Sequence, residues 1–285
     1  KITNLYYITY IYSPYGYSGR FLERNAISHV FVMILPLFMY FFYNKKEYKT
    51  IFYILISITC ALLIGTKSAY FAVFTSLILF LVVSIISYIK TKKINYKKLL
   101  IISTILIVLF AINDHLYTPQ FMKRNIDAYT INTSNTEAKE EIGNIEDKKL
   151  DKVKFVLNGR ENTLKEIWWV YKNKDLYEKM VGLGFYYPKY HYVLIEMDFF
   201  DILFKQGIIG LSLYLYTAIY YIVLMIKNIK QNLKKLPLLE LLFPLASVSM
   251  VTLASMVAGH VMYNYITIFF YSLIIIFLYT KTDNT

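Results

Sequence analysis

The chain has 285 residues, 57% of them hydrophobic, a net charge of +12 and one cysteine. So apolar a composition excludes an ordinary soluble domain, and the lysines gather in short stretches between apolar runs, so the charge orients a membrane protein rather than binding nucleic acid. Cys60 lies inside an apolar run, which excludes an internal disulfide and any cysteine-based metal site.

Residues 1–19 are tyrosine-rich and moderately apolar, without the basic start, apolar core and small-residue cleavage site of a secretory signal. The sequence opens without methionine, and further amino-terminal chain is expected. Seven apolar runs then reach or approach the roughly 20 residues that cross a bilayer. They occupy 27–43, 50–65, 68–88, 99–117, 199–226, 236–258 and 261–280, the second being short. Pro36, Pro237 and Pro244 fall in or at the starts of these runs, where neighbouring helices accommodate a kink. The expected fold is an all-α polytopic membrane protein with about seven spans and a large, partly helical extracytoplasmic loop. Its parts are 1–117, an outer segment and four helices; 118–198, the large loop; and 199–285, three helices and a short tail.

The connections alternate in charge. Residues 44–49 hold three lysines, 90–98 hold five and 227–235 hold four, so the positive-inside rule places these on the cytoplasmic side. The amino-terminal segment, Thr66 with Lys67, the stretch 118–198, and Gly259 with His260 then face outward. Tyrosines at many span ends fit interfacial anchoring.

The segment from Asp114 to Asp201 carries 15 of the 19 acidic residues and is too long for a simple connector. Its part 127–152 is rich in Asn, Thr and Glu without helical periodicity and reads as loosely ordered. In "NGRENTLKEIWWVYKNKD", Leu164, Ile167, Trp168 and Tyr171 recur at helical spacing, predicting an amphipathic helix at the membrane surface. Gly182 and Gly184 in "VGLGFYYP" permit a tight turn or a close approach to a ligand.

Against 27 lysines stand four arginines, Arg20, Arg24, Arg124 and Arg160, all on the side the rule depletes of positive charge. A guanidinium is a rigid fork of donors matched to phosphate oxygens, so this segregation points to phosphate or diphosphate recognition outside. The alternative is pairing with the many acids of the loop. The four histidines, His29, His115, His191 and His260, are too scattered for a metal-ligand spacing, and no metal site is expected. In "IEMDFFDILFKQGIIG", Asp198 and Asp201 stand one helical turn apart and can face one pocket; the competing reading is acids favoured at a helix amino terminus.

Four stretches together resemble the O-antigen ligase and polymerase family, membrane enzymes that transfer glycans from undecaprenyl diphosphate carriers. They are "SGRFLERNAISHVFVMILPLF", "IGTKSAYFAVF", "LNGRENTLKEIWW" and "EMDFFDILFKQGIIG". The second resembles a tight Gly-Ser/Thr-Arg turn, with Lys67 where arginine is usual. The third resembles a Ser-Gly-Arg segment and makes Arg160 a functional arginine. In the fourth, Glu196 takes the place of the ligases' histidine, with Gly207 and Gly210 following at the family's spacing. The family has more spans than this chain, which is expected to correspond to its carboxy-terminal half or more.

The resemblance implies a glycosyltransferase using undecaprenyl-diphosphate-linked glycan as donor and acceptor within the bilayer, beside a flippase and a chain-length regulator, without metal or other cofactor. Glu196 and Arg160 are the expected catalytic residues; Arg20, Arg24, Lys67, Asp198, Asp201 and His260 are expected to bind substrate. Glu196 in place of histidine favours a polymerase of surface or capsular polysaccharide over a ligase. A transporter or flippase is the rival from another class, opposed by spans nearly free of charge.

Overall fold

The computed structural model describes residues 7–10, 13–19, 24–44, 49–92, 95–116, 118–120, 160–184, 197–232 and 238–283. Helices dominate it: α1 (Arg24–Asn44), α2 (Lys49–Ile64), α3 (Lys67–Thr91), α4 (Tyr96–Ala111), α5 (Arg160–Lys172), α6 (Leu176–Val181), α7 (Asp198–Asn232), α8 (Leu238–Ala258) and α9 (Tyr265–Asp283). Among the described residues the only strands are β1 (Tyr7–Tyr10) and β2 (Ser13–Gly19), an antiparallel hairpin whose second strand lies against α2. The hairpin was not anticipated, although a Tyr-, Ile- and Thr-rich stretch suits a pleated surface.

Each of the seven apolar runs forms a helix, but among the described residues five are long and apolar enough to cross a membrane: α1, α3, α7, α8 and α9. Helices α2 and α4 have 16 residues each. At 1.5 Å per residue they span about 24 Å, short of a hydrocarbon core about 30 Å thick. The fourth run ends earlier than expected because Asn113 and Asp114, residues that compete for backbone hydrogen bonds, divert the chain into a 3-10 turn at Asn113–His115. The last run begins later: Gly259 and His260 both have positive φ, and α9 starts only after Asn264, whose Oδ1 accepts from the Ile266 and Thr267 N–H groups.

Helix α1 is the centre of the bundle, packing most extensively on α8 and then on α3, α2 and α9. One face, with Leu35, Met39 and Phe42, joins Ile54, Leu77, Phe80 and Phe243. The other, with Val30 and Met33, joins Val251, Ile274 and Leu278. Residues outside these faces, such as Phe52, Phe71, Leu213 and Ile222, are exposed and apolar, the surface a helix presents to hydrocarbon.

Pro36 removes one backbone donor from α1 and disturbs the carbonyls of the preceding turn. The Ser247 hydroxyl of α8 donates to the Met33 carbonyl at 2.8 Å, so a neighbouring helix satisfies a group in the turn before Pro36.

The ends of α1, α3 and α7 and the starts of α2, α4 and α8 lie at one end of the bundle, here the lysine end; the 65–66 turn and the starts of α1, α7 and α9 lie at the other, the loop end. At the lysine end the buried Lys98 ammonium donates to the Phe42 carbonyl and, at 2.9 Å, to the Tyr43 carbonyl, and rests over the Phe42 ring. A cation here satisfies acceptors in the last turn of α1 and complements its dipole. Lys98→Met should therefore lower stability by about 1–2 kcal/mol, less than the sum of two charge-assisted bonds because burying the ammonium costs desolvation. Thermal unfolding in detergent measures it, and an unchanged midpoint would remove Lys98 from the helix-capping role.

Candidate functional site at the loop end

The turn between α2 and α3 is two residues long. Gly65 at φ 73 reverses the chain, and Thr66 caps α3 through an Oγ1 that accepts from Ala69 N–H at 3.4 Å. Lys67 is thereby fixed as the first residue of α3. The Ser68 and Ser28 hydroxyls meet at 3.1 Å, locking the start of α1 against this turn.

Helix α5 forms as its periodicity predicts. Ile167 and Tyr171 are buried against Phe204 and Met197, while Trp168 and Trp169 are 48% and 67% exposed. The Tyr171 hydroxyl donates to the Lys179 carbonyl at 2.7 Å, tying α5 to α6. Arg160 opens α5, and its charge acts on both Lys67 and His29. His29, on α1, is also acted on by His260.

Helix α7 is interrupted at Gly207 (φ 69, ψ −170). The interruption exposes the Phe204 and Lys205 carbonyls, which an unbroken helix would commit to Ile208 and Ile209. They accept instead from Leu183 N–H at 2.7 Å and Gly184 N–H at 3.1 Å. The close approach at Gly182 is made to the broken helix of this chain: a Cβ on Gly182 would lie 2.5 Å from Gly207 N. Gly210 belongs to the same break, since a Cβ there would meet Gln206 Cβ at 2.3 Å.

Asp198 and Asp201 are both buried, at 1% and 2% exposure. Asp198 does not cap its own helix. Its Oδ2 accepts from Val261 N–H at 2.9 Å and Met262 N–H at 3.0 Å, holding the 259–264 loop, and its Oδ1 has no hydrogen-bond partner among the described residues. Asp201 pairs with Lys205 at 3.6 Å, and the Lys205 ammonium lies 4.7 Å from the centre of the Tyr263 ring. Burial, and then the Asp201 and Asp198 carboxylates, push the Tyr263 phenol well above its ordinary range, so it stays protonated at neutral pH. His260 holds a left-handed backbone at φ 64, rare for a residue with a side chain.

Of the expected site residues, Arg160, Lys67, Asp198, Asp201 and His260 come to the loop end from α5, the α2–α3 turn, α7 and the α8–α9 loop. Arg24 is the first residue of α1, with its side chain outside the description. Arg20, Arg124, Glu196 and the segment 127–152 lie outside the described residues. His29, Lys205 and Tyr263 were missed. A lone histidine inside an apolar run and a lysine four residues after an aspartate were the available signals. An apolar groove of about 400 Å³ between α2 and α4, including Leu62, Leu63, Ile112 and His115, ends beside the turn that carries Lys67.

A bundle in which five helices are long and apolar enough to cross a membrane defines a multi-pass membrane protein. The family described as O-antigen ligase like membrane protein matches residues 1–283, and the chain belongs to it. No curated protein and no solved structure matches the chain significantly. Membership implies a glycosyltransferase-type enzyme acting on lipid-linked glycans in the membrane, a polysaccharide polymerase or ligase.

Proposed function

We propose that the protein polymerises undecaprenyl-diphosphate-linked oligosaccharide repeat units on the outer face of the cytoplasmic membrane, making a surface or capsular polysaccharide. The observation that carries this reading is the convergence of Arg160, Lys67, His260 and Asp198, from four parts of the chain, at the end opposite the lysine-rich connections. The lysine end then faces the cytoplasm and the site faces outward.

Transfer forms a bond between an acceptor hydroxyl oxygen and the anomeric carbon of the donor, breaks the bond from that carbon to the diphosphate, and moves the hydroxyl proton to a base. Arg160 with Lys67, and Arg20 or Arg24, would stabilise the departing diphosphate charge. Glu196 would accept the proton, and Asp198 Oδ1, without a hydrogen-bond partner among the described residues, offers a second acceptor for the incoming sugar. The α2–α4 groove is an apolar path along which a polyprenyl chain could leave the site. Glutamate in place of the ligases' histidine favours polymerisation over transfer to a lipid or protein. Transport is disfavoured because the buried Asp198, Asp201 and Lys205 occupy the first turns of α7, at one end of that helix rather than at its middle. A flippase and a chain-length regulator are the expected neighbours.

Arg160→Ala and Glu196→Gln should each shift surface polysaccharide from long chains to single repeat units, a loss of at least about 100-fold in polymer. Chain-length distribution on gels measures it. Normal polymer from inserted, normally abundant variants would sink the assignment.

A further inference from the structure

We propose that His29 is a ligand-binding residue, whose imidazole donates to a phosphate oxygen of the lipid diphosphate beside Arg160 and Lys67; this rests on the function proposed above. His29 lies in the second turn of α1 with no exposed surface, flanked by the buried Ser28 and Val30. Neither Nδ1 nor Nε2 has a hydrogen-bond partner among the described residues. A buried imidazole always carries at least one N–H, and leaving such a group unsatisfied costs free energy that an apolar side chain at the same place avoids. Buried polar groups are nearly always paired, so an imidazole with no partner among the described residues is available to a ligand.

The surroundings identify that partner's chemistry. The Ser28–Ser68 contact at 3.1 Å holds the start of α1 against the first turn of α3, where Lys67 stands. The Asp198 bonds to Val261 and Met262 fix the loop that carries His260. The ionisable groups acting on His29 are His260 and Arg160, and Arg160 acts in turn on Lys67. Two imidazoles beside a guanidinium and an ammonium disfavour a metal cation and suit a multiply charged oxyanion. Arginine and lysine supply its long-range attraction; a buried N–H with fixed direction supplies geometry. His29 thus extends the site from the surface segments into the membrane-embedded bundle.

The test uses the full chain in nanodiscs, with undecaprenyl diphosphate as probe and inorganic diphosphate as competitor. His29→Phe should keep or raise the unfolding temperature without probe, since it removes an unsatisfied polar group, yet weaken probe binding by about ten-fold, the worth of one charge-assisted hydrogen bond. His29→Asn, which keeps an N–H donor, should recover part of the loss, and His29→Leu serves in place of phenylalanine if the larger ring does not fold. Inorganic diphosphate should displace the probe from wild type and be about ten-fold weaker against His29→Phe, which assigns the contact to the headgroup rather than the lipid. Wild-type affinity in folded His29→Phe or His29→Leu overturns the role of His29 alone if Arg160→Ala loses binding. Absence of probe binding by wild type overturns the proposed function and this inference with it.

Discussion

Gly207→Ala is expected to undock residues 182–184 from α7 and to abolish polymer formation, with the larger part of the effect coming from backbone geometry. At φ 69 and ψ −170 the residue occupies a region that only glycine enters readily, a cost of about 1–3 kcal/mol for any side chain. A Cβ would also lie 2.2 Å from the Met180 carbonyl oxygen, a backbone atom that no rotamer change can move aside. Relief requires α6 to move, which breaks the Leu183–Phe204 and Gly184–Lys205 bonds and loosens the support that positions α5 and Arg160. Gly184→Ala is the control: its φ of 78 imposes backbone strain, but an added Cβ meets nothing within 4 Å, so its effect should be distinctly smaller. Limited proteolysis at Lys174 and Lys179, read beside chain-length distribution, separates the two. Equal behaviour of the two variants would show that the close approach at the break does not matter.

Asp198→Ala should cost about 2 kcal/mol or more of stability and most of the activity. Removing the carboxylate leaves the Val261 and Met262 N–H groups without their acceptor in a buried place, each worth about 1–3 kcal/mol when unsatisfied, and this outweighs the desolvation regained by deleting a charge. The same change releases the loop that holds His260 in its left-handed conformation. Asp198→Asn separates structure from chemistry. Its amide oxygen can still accept from the loop, so thermal stability should fall by less, about 1 kcal/mol, because the lost bonds are only weakened. Polymer formation should nonetheless drop sharply, since the second position becomes an N–H donor where the incoming hydroxyl meets an acceptor. Full activity with Asp198→Asn would confine this residue to holding the loop.

The positions of the apolar helices were legible because an apolar run of sufficient length has few alternatives in a bilayer: each of the seven runs is helical, though among the described residues five are long and apolar enough to cross. Their ends were less so. The fourth and seventh runs look continuous in composition, yet one is cut short by Asn113 and the other delayed until the Asn264 cap, because turn chemistry decides what hydropathy does not register. The paired glycines of "FKQGIIG" were visible as spacing without a cause. Their cause is one interruption of α7, which requires glycine at 207 for the backbone and at 210 for the space Gln206 occupies.

The candidate site divides in the same way. Arginine in place of lysine marked Arg160, and the turn marked Lys67, since both signals lie within a few consecutive residues. Acids one turn apart marked Asp198 and Asp201 as a pair, but not their separate partners, the 261–262 backbone for one and Lys205 for the other.

By itself, then, the sequence determined a polytopic helical membrane protein and its division into lysine end and loop end, because these follow from local composition and from the bilayer's demand for apolar length. Only the tertiary structure decided that α1 sits at the centre, that the segment after α6 completes a broken helix, and that the charges of Arg160 and His260 reach His29. Those are relations between residues far apart in the chain, fixed by which faces pack together and which backbone groups must find partners, and no single stretch of sequence carries that information.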